Sequence, residues 1–483
     1  MLEPSVASSV AQTALQWFES SSICQKKLSQ SEWTVLAAIV LQTCHGDGIN
    51  TFRVLSAATG NKCLGRRDLN VDGLVVNDCH AEILARRAFL RYLYTEALAW
   101  QLQGQDEQFQ TLSLFERHPD TGRLVPKSQY SLHLFITEAP CGDAAIYELR
   151  GEVVDDLVQQ RTAKEVQDEG VQVERSALRL TGAKSRGKRA RTCGAESDEG
   201  TPSDKRFAQV VGIARVKSGR SDLPLEKQTL SMSCSDKLAK WNTLGLQGTL
   251  LLQWFEPIIL CSIIVSEDKL AKSVANQTEA LERAVSTRLR ERSAVEDPST
   301  CETHVVSDTD VPLFSRRRTP DAAPSSLALN WTSRESYWTR ASISTSDEKQ
   351  ASSGPSDAAK FDARFFNNSE FEFLMAATGF KQGAKKASKM DHRAMERVSS
   401  RLCKRNLLRA FYRVLAEQQD HDALLKSAKE LEYLQLKLAV PLTASSHAKA
   451  FVPSTPPNDR RKQFFEAFKD WIGVPAAFKQ FKL

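Results

Sequence analysis

The chain has 483 residues, of which 41% are hydrophobic and 26% charged, with a formal net charge of +6. That is ample for a sizeable core, and the mild basic excess is compatible with a polyanionic partner without requiring one. Its ten cysteines are scattered singly rather than in a tight framework. The start Met1-Leu2-Glu3-Pro4 lacks the basic and apolar regions of a secretory signal, so the expectation is an intracellular protein, in nucleus or cytoplasm, with reduced thiols. The most apolar stretch, Leu250 to Val265, is broken by Gln253, Glu256 and Pro257 and is too short and polar to span a bilayer. No membrane association is expected.

In chain order, residues 1–30 read as a helical lead, with Val6 to Phe18 as its helix. Trp33 to Leu41 reads as a buried strand, and Phe52 to Ala57 as its neighbour across a turn at Gly46 and Gly48. From Cys79 to Ala99 apolar residues recur at helical spacing without Gly or Pro. Ser131 to Thr137 and Val210 to Arg215 are strand candidates, Ser235 to Trp241 a helix, and Leu250 to Leu252 a strand. Met390 to Lys437 reads as a pair of longer amphipathic helices, and a last helix begins at Phe464. Two segments, 182–206 and 266–360, are rich in Ser, Thr, Asp, Glu and Arg and are expected to be disordered inserts, because they bury too little apolar area to offset chain entropy. Within the second, Leu327 to Trp331 is an apolar island suited to docking on the core. Strands first and helices last give an α/β core with a helical C-terminal extension. Residues 31–483 read as one catalytic unit with no second folded domain.

The sharpest local signal is His80-Ala81-Glu82 at the start of a helix. In an H-x-E pair the His can bind zinc while the Glu moves protons. Alone, the pair is common by chance. Pro140-Cys141-Gly142 follows a predicted strand, as the second half of a zinc-deaminase signature does. A cysteine is then expected at position 144, where the chain has Ala144. A catalytic zinc needs three protein ligands and an open place for water, so a third ligand has to come from elsewhere. Cys234, at the start of a predicted helix, suits the role. Cys193 and Cys301 fall in the expected inserts, and Cys24, Cys44, Cys63, Cys261 and Cys403 lack so suitable a loop-to-helix setting. Cys79 is read as packing.

The blocks Asn77-Asp78-Cys79-His80-Ala81-Glu82, Pro140-Cys141-Gly142 and Met232-Ser233-Cys234-Ser235-Asp236-Lys237 with Trp241-Asn242 resemble the adenosine deaminases acting on RNA. Ala58-Thr59-Gly60, Lys62-Cys63, Gln247-Gly248 and Ser400-Arg401-Leu402-Cys403-Lys404 extend the resemblance to most of the chain outside the inserts. It implies a cytidine-deaminase-like mixed sheet flanked by helices. It implies Zn2+ on His80, Cys141 and Cys234, Glu82 as the proton shuttle, and a relay through Asp78 and Lys217. It also implies a buried inositol hexakisphosphate. The positions suited to that group are Lys62, Asn77, Arg86, Arg87, Lys237, Lys240, Trp241, Lys381, Tyr433, Lys437 and Lys479.

No segment ahead of the first strand has room for a double-stranded-RNA-binding domain. This lean arrangement resembles the tRNA-acting branch of the family, which converts adenosine to inosine at position 37, next to the anticodon of alanine tRNA. A loop-exposed base suits a protein without a duplex-binding module, since unstacking costs least there. The expected partner is therefore tRNA, with no DNA. The competing readings are an editor of double-stranded RNA, a free-nucleoside or cytidine deaminase, and a catalytically weak RNA-binding relative. The wide separation of Cys141 from Cys234 disfavours the cytidine type, and the intact ligand set disfavours an inactive relative.

Overall fold

A computed structural model of the chain describes residues 4–46, 48–146, 211–217, 224–268, 273–292, 301–307, 309–319, 321–333, 371–418, 421–439, 459–468 and 471–483. The helical lead forms α1 (Pro4–Ser20). The two predicted strands form β1 (Leu36–Cys44) and β2 (Asn50–Thr59), followed by the short β3 (Asn61–Cys63) and β4 (Asp78–His80). Then come α2 (Ala81–Gln103), β5 (Tyr130–Ile136), α3 (Cys234–Leu244), β6 (Ser262–Ser266) and α4 (Val274–Glu282). Strands β7 (Glu302–Val306), β8 (Leu327–Thr332) and β9 (Phe371–Met375) complete the main sheet. The C-terminal helices are α5 (Lys404–Ala416), α6 (His421–Glu430), α7 (Tyr433–Leu438) and α8 (Asp459–Ala467).

Among the described residues the main sheet has seven strands in the order β7-β6-β5-β1-β2-β8-β9. The β5, β6 and β7 strands run parallel to one another and the remaining pairs are antiparallel. The fold class is thus the expected mixed α/β sheet flanked by helices. The continuous apolar run of β1 has a physical reason: both its faces are buried. Ala37, Ile39 and Leu41 face α2, while Leu36, Ala38 and Val40 face α1. Helix α2 is enclosed on nearly all sides, from Ala81 through Trp100, which accounts for its weak one-sided periodicity.

Three expectations need correction. Segment 266–360 is not one disordered insert: its described residues supply α4, the strand β7 beside β6, and the strand β8 beside β2. Its polar composition hid them, since β7 is a half-buried edge strand and its Glu302, Thr303 and His304 are only partly covered. The apolar island at Leu327 is β8 itself, between β2 and β9. Leu250 to Leu252 is not a strand but falls in and just after a helical turn at Gly248–Leu251, because so short an apolar run carries no period that separates the two. The described part of the Val210 to Arg215 candidate, residues 211–215, forms no strand, and a single bridge, Val216 to Met232, follows it. The predicted helix pair near the C-terminus is α5 and α6, flanked by shorter helices. Segment 182–206 lies outside the described residues.

Candidate metal centre and buried cation pocket

Three loop-to-element junctions converge on one point. His80 ends β4 and is the N-cap of α2, its backbone N–H donating to the Asp78 carboxylate at 3.1 Å. Gly60 makes this turn feasible: at φ 152°, it brings its backbone so close to the Cys79 carbonyl that a Cβ would lie 1.9 Å from that oxygen. Cys141 lies in the loop after β5. Gly142 follows at φ 106°, where a Cβ would lie 2.3 Å from Ser233 Oγ. Cys234 opens α3, whose N-cap Ser233 accepts from the Asp236 N–H.

The ligand atoms of His80, Cys141 and Cys234 all lie within 4.8 Å of one another. His80 Nδ1 is 3.6 Å from Cys234 Sγ and 4.0 Å from Cys141 Sγ. Tetrahedral zinc bonds place N–S and S–S ligand edges at roughly 3.5–3.8 Å, so the donor set fits that ion in both type and size. The neighbouring Cys234, together with Lys217 and His80, favours the Cys141 thiolate, whose pKa falls well below the ordinary thiol value despite burial. Burial and the neighbouring Cys141 push Cys234 up. The Cys234 backbone N–H also donates to Cys141 Sγ at 3.4 Å. Cys63 and Cys79 are turned away, donating to the Asn77 and Val76 carbonyls.

Glu82 sits in the first turn of α2, 3% exposed, and its Oε2 has no hydrogen-bond partner among protein atoms. Burial raises its pKa, opposed by His80 and Lys217. A buried carboxyl with a spare oxygen beside a metal cradle is equipped to take up and return a proton.

Asp78 and Lys217, the two residues expected to form a relay, meet in the structure. Lys217 Nζ donates to Asp78 Oδ1 and to Cys234 Sγ, both at 2.9 Å. Burial opposes the charge on both partners. Their attraction wins, so Asp78, paired with Lys217 and Lys237, lies well below the usual carboxylate range, and Lys217 lies well above the usual lysine value. Lys237 also donates to Ser231 and Asp78, which commits it to this network rather than to an anion pocket.

Behind the cradle, one turn along α2, a group of half-buried cations gathers. Arg86 stacks over Trp241 at 4.9 Å, and Lys240 lies 4.9 Å from the rings of both Phe465 and Trp471. Arg87 Nε donates to the Leu402 carbonyl at 2.6 Å, and Lys437 lies over Tyr433 at 5.5 Å. Lys404 and Lys479 join them, and the last residues close the pocket: Leu434 N–H donates to Lys479 O and Tyr433 N–H to Phe481 O. Among the described residues none of these cations has a carboxylate at ion-pair distance. Burial lowers Arg86 to about 9, Lys404 to about 7, and Lys437 and Lys479 each to about 8, with mutual repulsion adding to the effect. Uncompensated buried charge of this density opposes folding unless an anion neutralises it.

Of the positions implied for a polyphosphate, the structure gathers Arg86, Arg87, Lys240, Trp241, Tyr433, Lys437 and Lys479. Lys381 instead lies 3.8 Å from Glu372, and Lys62 and Asn77 belong to the β3–β4 side. Lys404, Trp471 and Arg461 are members that sequence reasoning did not assign; Arg461 Nη1 donates to Thr249 Oγ1 at 3.1 Å. Also unassigned were the groups that hold α3. The Asp236 carboxylate accepts from Ser233 Oγ (2.6 Å), Arg215 N–H (2.8 Å) and Arg288 Nη1 (2.7 Å). Arg283 grips Asp143 at 3.1 Å, beside Cys141. The Ser-x-x-Asp spacing from Ser233 to Asp236, a helix N-terminus signature, was the legible part of that signal.

Comparison with known proteins agrees with this geometry. Residues 56–361, more than half of the chain, match the adenosine-deaminase (editase) domain. The chain is 34% identical over 280 residues to tRNA-specific adenosine deaminase 1 of Drosophila melanogaster, covering 57% of each. It is 34% identical over 267 residues to double-stranded RNA-specific editase B2 of Mus musculus, covering 55% of this chain and 31% of that one. With the Mus musculus tRNA-specific adenosine deaminase 1 it shares 26% identity over 337 residues, 54% of this chain and 64% of that protein. The matches therefore span less than two thirds of each of these relatives. With its matched segment carrying the His80, Glu82, Cys141 and Cys234 cradle, the chain belongs to the adenosine-deaminase (editase) domain family.

Proposed function

We propose that this protein hydrolytically deaminates adenosine to inosine in RNA, using one zinc ion held by His80, Cys141 and Cys234. The observation that carries the reading is the convergence of those three ligand atoms within 4.8 Å beside Glu82, whose Oε2 has no partner among protein atoms. Zinc bound there supplies Lewis acidity, which makes water a nucleophile near neutral pH. Glu82 accepts a proton as the water oxygen bonds to C6 of adenine, and returns it to N1. It then passes the second water proton to the exocyclic amine. The C6–N bond breaks, ammonia departs and the C6 carbonyl of inosine remains. Lys217, hydrogen-bonded to Cys234 Sγ, would favour the thiolate form of that sulfur as a zinc ligand, against the burial that pushes the thiol up.

The substrate is tRNA, with adenosine 37 beside the anticodon of alanine tRNA as the target. The tRNA-acting relatives support this reading, as does the low cost of flipping a base that is already unpaired. The buried cations hold inositol hexakisphosphate: a compact polyanion answers several enclosed charges at once, whereas the carboxylates of the described residues do not. Purified protein is incubated with unmodified alanine tRNA, a perfect RNA duplex and free adenosine, and inosine is read by sequencing. Inosine at position 37 is the expected product, and inosine only in the duplex would overturn the tRNA choice. Phosphate released on denaturation tests the enclosed anion, and its absence would refute that part.

A further inference from the structure

Beside the cradle the described surface carries a cationic rim that the reaction does not use. Three segments meet there. Residues 64–76 follow β3, residues 224–230 precede α3, and residues 380–398 follow β9. The first and third are joined through a small apolar core of Leu64, Leu74, Val75 and Phe380, with Met390 and Met395 packed against it. Backbone hydrogen bonds fix them further: Val76 N–H donates to Gly379 O at 3.1 Å, and Arg66 N–H to Gln228 O at 2.9 Å. The rim is continuous with the metal site, since Leu64 N–H donates to Asn77 O at 2.9 Å, three residues before His80.

The rim presents Arg66, Lys227, Lys385, Lys386, Lys389 and Arg393, all exposed except the half-buried Arg66. Among the described residues none of these six has a carboxylate at ion-pair distance. Most of the acids on the same segments are already committed. Asp68 pairs with Arg67 and Asp72 with His392, while Glu396 pairs with Arg405 and Arg409, and Asp391 caps a helix by accepting from Ala394 N–H. Holding unneutralised cations together on a packed scaffold costs repulsion, which an external polyanion relieves. A polymer with regularly spaced charges matches a rim spread over three segments, and the rim borders the cradle that one base would enter.

We propose that this rim holds the phosphate backbone of the RNA substrate while a single base reaches the His80, Cys141 and Cys234 cradle. The inference rests on the deaminase reading above. It is tested in the full-length chain with Lys385→Gln, Lys386→Gln and Lys389→Gln combined, and with the matching Lys→Arg triple. Equilibrium binding of unmodified tRNA is measured across a salt series, with inosine formation measured in parallel. Loss of three phosphate contacts should weaken tRNA binding by about tenfold or more at moderate salt and lower the slope of log affinity against log salt by about two to three. The Gln triple should raise KM and leave kcat at saturating tRNA unchanged, and the Arg triple should behave as the parent. Unchanged affinity and salt slope in the Gln triple would overturn the proposal. So would a rim that captures polyglutamate as tightly as tRNA, which would mark it as a surface for acidic protein. If the parent binds tRNA through these lysines but forms no inosine in any RNA, the deaminase reading fails and the rim stands. If the parent forms inosine and the Gln triple matches it, the rim alone fails.

Discussion

Replacing Asp236 with Asn should release the proposed metal ligand Cys234 from its frame. Asp236 and Arg288 form an ion pair at 2.7 Å in which the side chains are 0% and 1% exposed. The carboxylate also holds Ser233 Oγ and the Arg215 N–H, so it fixes the turn that opens α3. An exposed pair would contribute at most about 1 kcal/mol. Breaking an enclosed one leaves a stranded charge, and Asp236→Asn should therefore cost about 3–5 kcal/mol. Arg288→Met should cost a similar amount and also lose the cation over Phe468 at 4.9 Å. The double variant removes both partners of this pair, so its cost should fall short of the sum by about 1–3 kcal/mol. Because Asp236 positions Cys234 without touching the metal, zinc affinity should drop about 10- to 100-fold in Asp236→Asn. Urea unfolding followed by tryptophan fluorescence supplies the cycle, and chelator competition the zinc affinity. Additivity of the two single variants with unaltered zinc affinity would refute the reasoning.

Glu82→Gln preserves shape but removes the proton carrier, so kcat should fall about 10²- to 10⁴-fold with zinc content unchanged; near-normal inosine formation would exclude Glu82 as the shuttle. Gly142→Ala forces a Cβ to 2.3 Å from Ser233 Oγ at a φ of 106°, so both zinc retention and thermal stability should drop, by about 1–3 kcal/mol for the backbone strain alone. The enclosed lysines predict a pH dependence. Lys404, Lys437 and Lys479 titrate in the folded chain at about 7, 8 and 8, below the ordinary lysine value of 10.5. The unfolded chain then binds more protons across that window, so protein freed of phosphate should become more stable as pH rises from about 7 towards 10.5. Added inositol hexakisphosphate holds those protons in place. It should raise the melting temperature most near pH 7 and less near pH 9, and a phosphate-free melting temperature that is flat or falls with pH would contradict the assignment.

The metal centre was legible because its signals are local. H-x-E at a helix start, P-C after a strand and a cysteine opening a later helix each announce their own backbone setting, and α2 and α3 begin where those residues imply. What the sequence hid depends on distant pairing. Strand β7 has Glu302, Thr303 and His304 on an edge, so neither alternation nor apolar content marks it, and only its parallel ladder with β6 makes it a strand. Arg288 reads as one more arginine in a charged stretch, yet a π-helical turn at Arg283–Thr287 precedes it and its side chain reaches the buried Asp236. The cation pocket was half legible. Arg86 and Arg87 follow Glu82 by about one turn, but Lys404 and Trp471 enter it only because α5 and the C-terminal tail fold back over α2.

Two groups of cations thus flank the candidate metal centre, and their differing exposure suits them to different partners. Those around Arg86 and Lys240 are roofed by the C-terminal tail, through the Lys479 and Phe481 carbonyls bonded to the start of α7. An anion held there would be covered as the tail docks, which suits a structural ligand better than an exchanging substrate. The rim lysines at 385, 386 and 389 are exposed and fixed by a separate small core, which suits a ligand that arrives and leaves with each turnover. Salt should accordingly weaken the rim's hold on RNA steeply, because exposed charges are screened within about 10 Å at 0.1 M ionic strength. The enclosed pocket is shielded from that screening, so its effect on stability should persist at salt concentrations that abolish RNA binding.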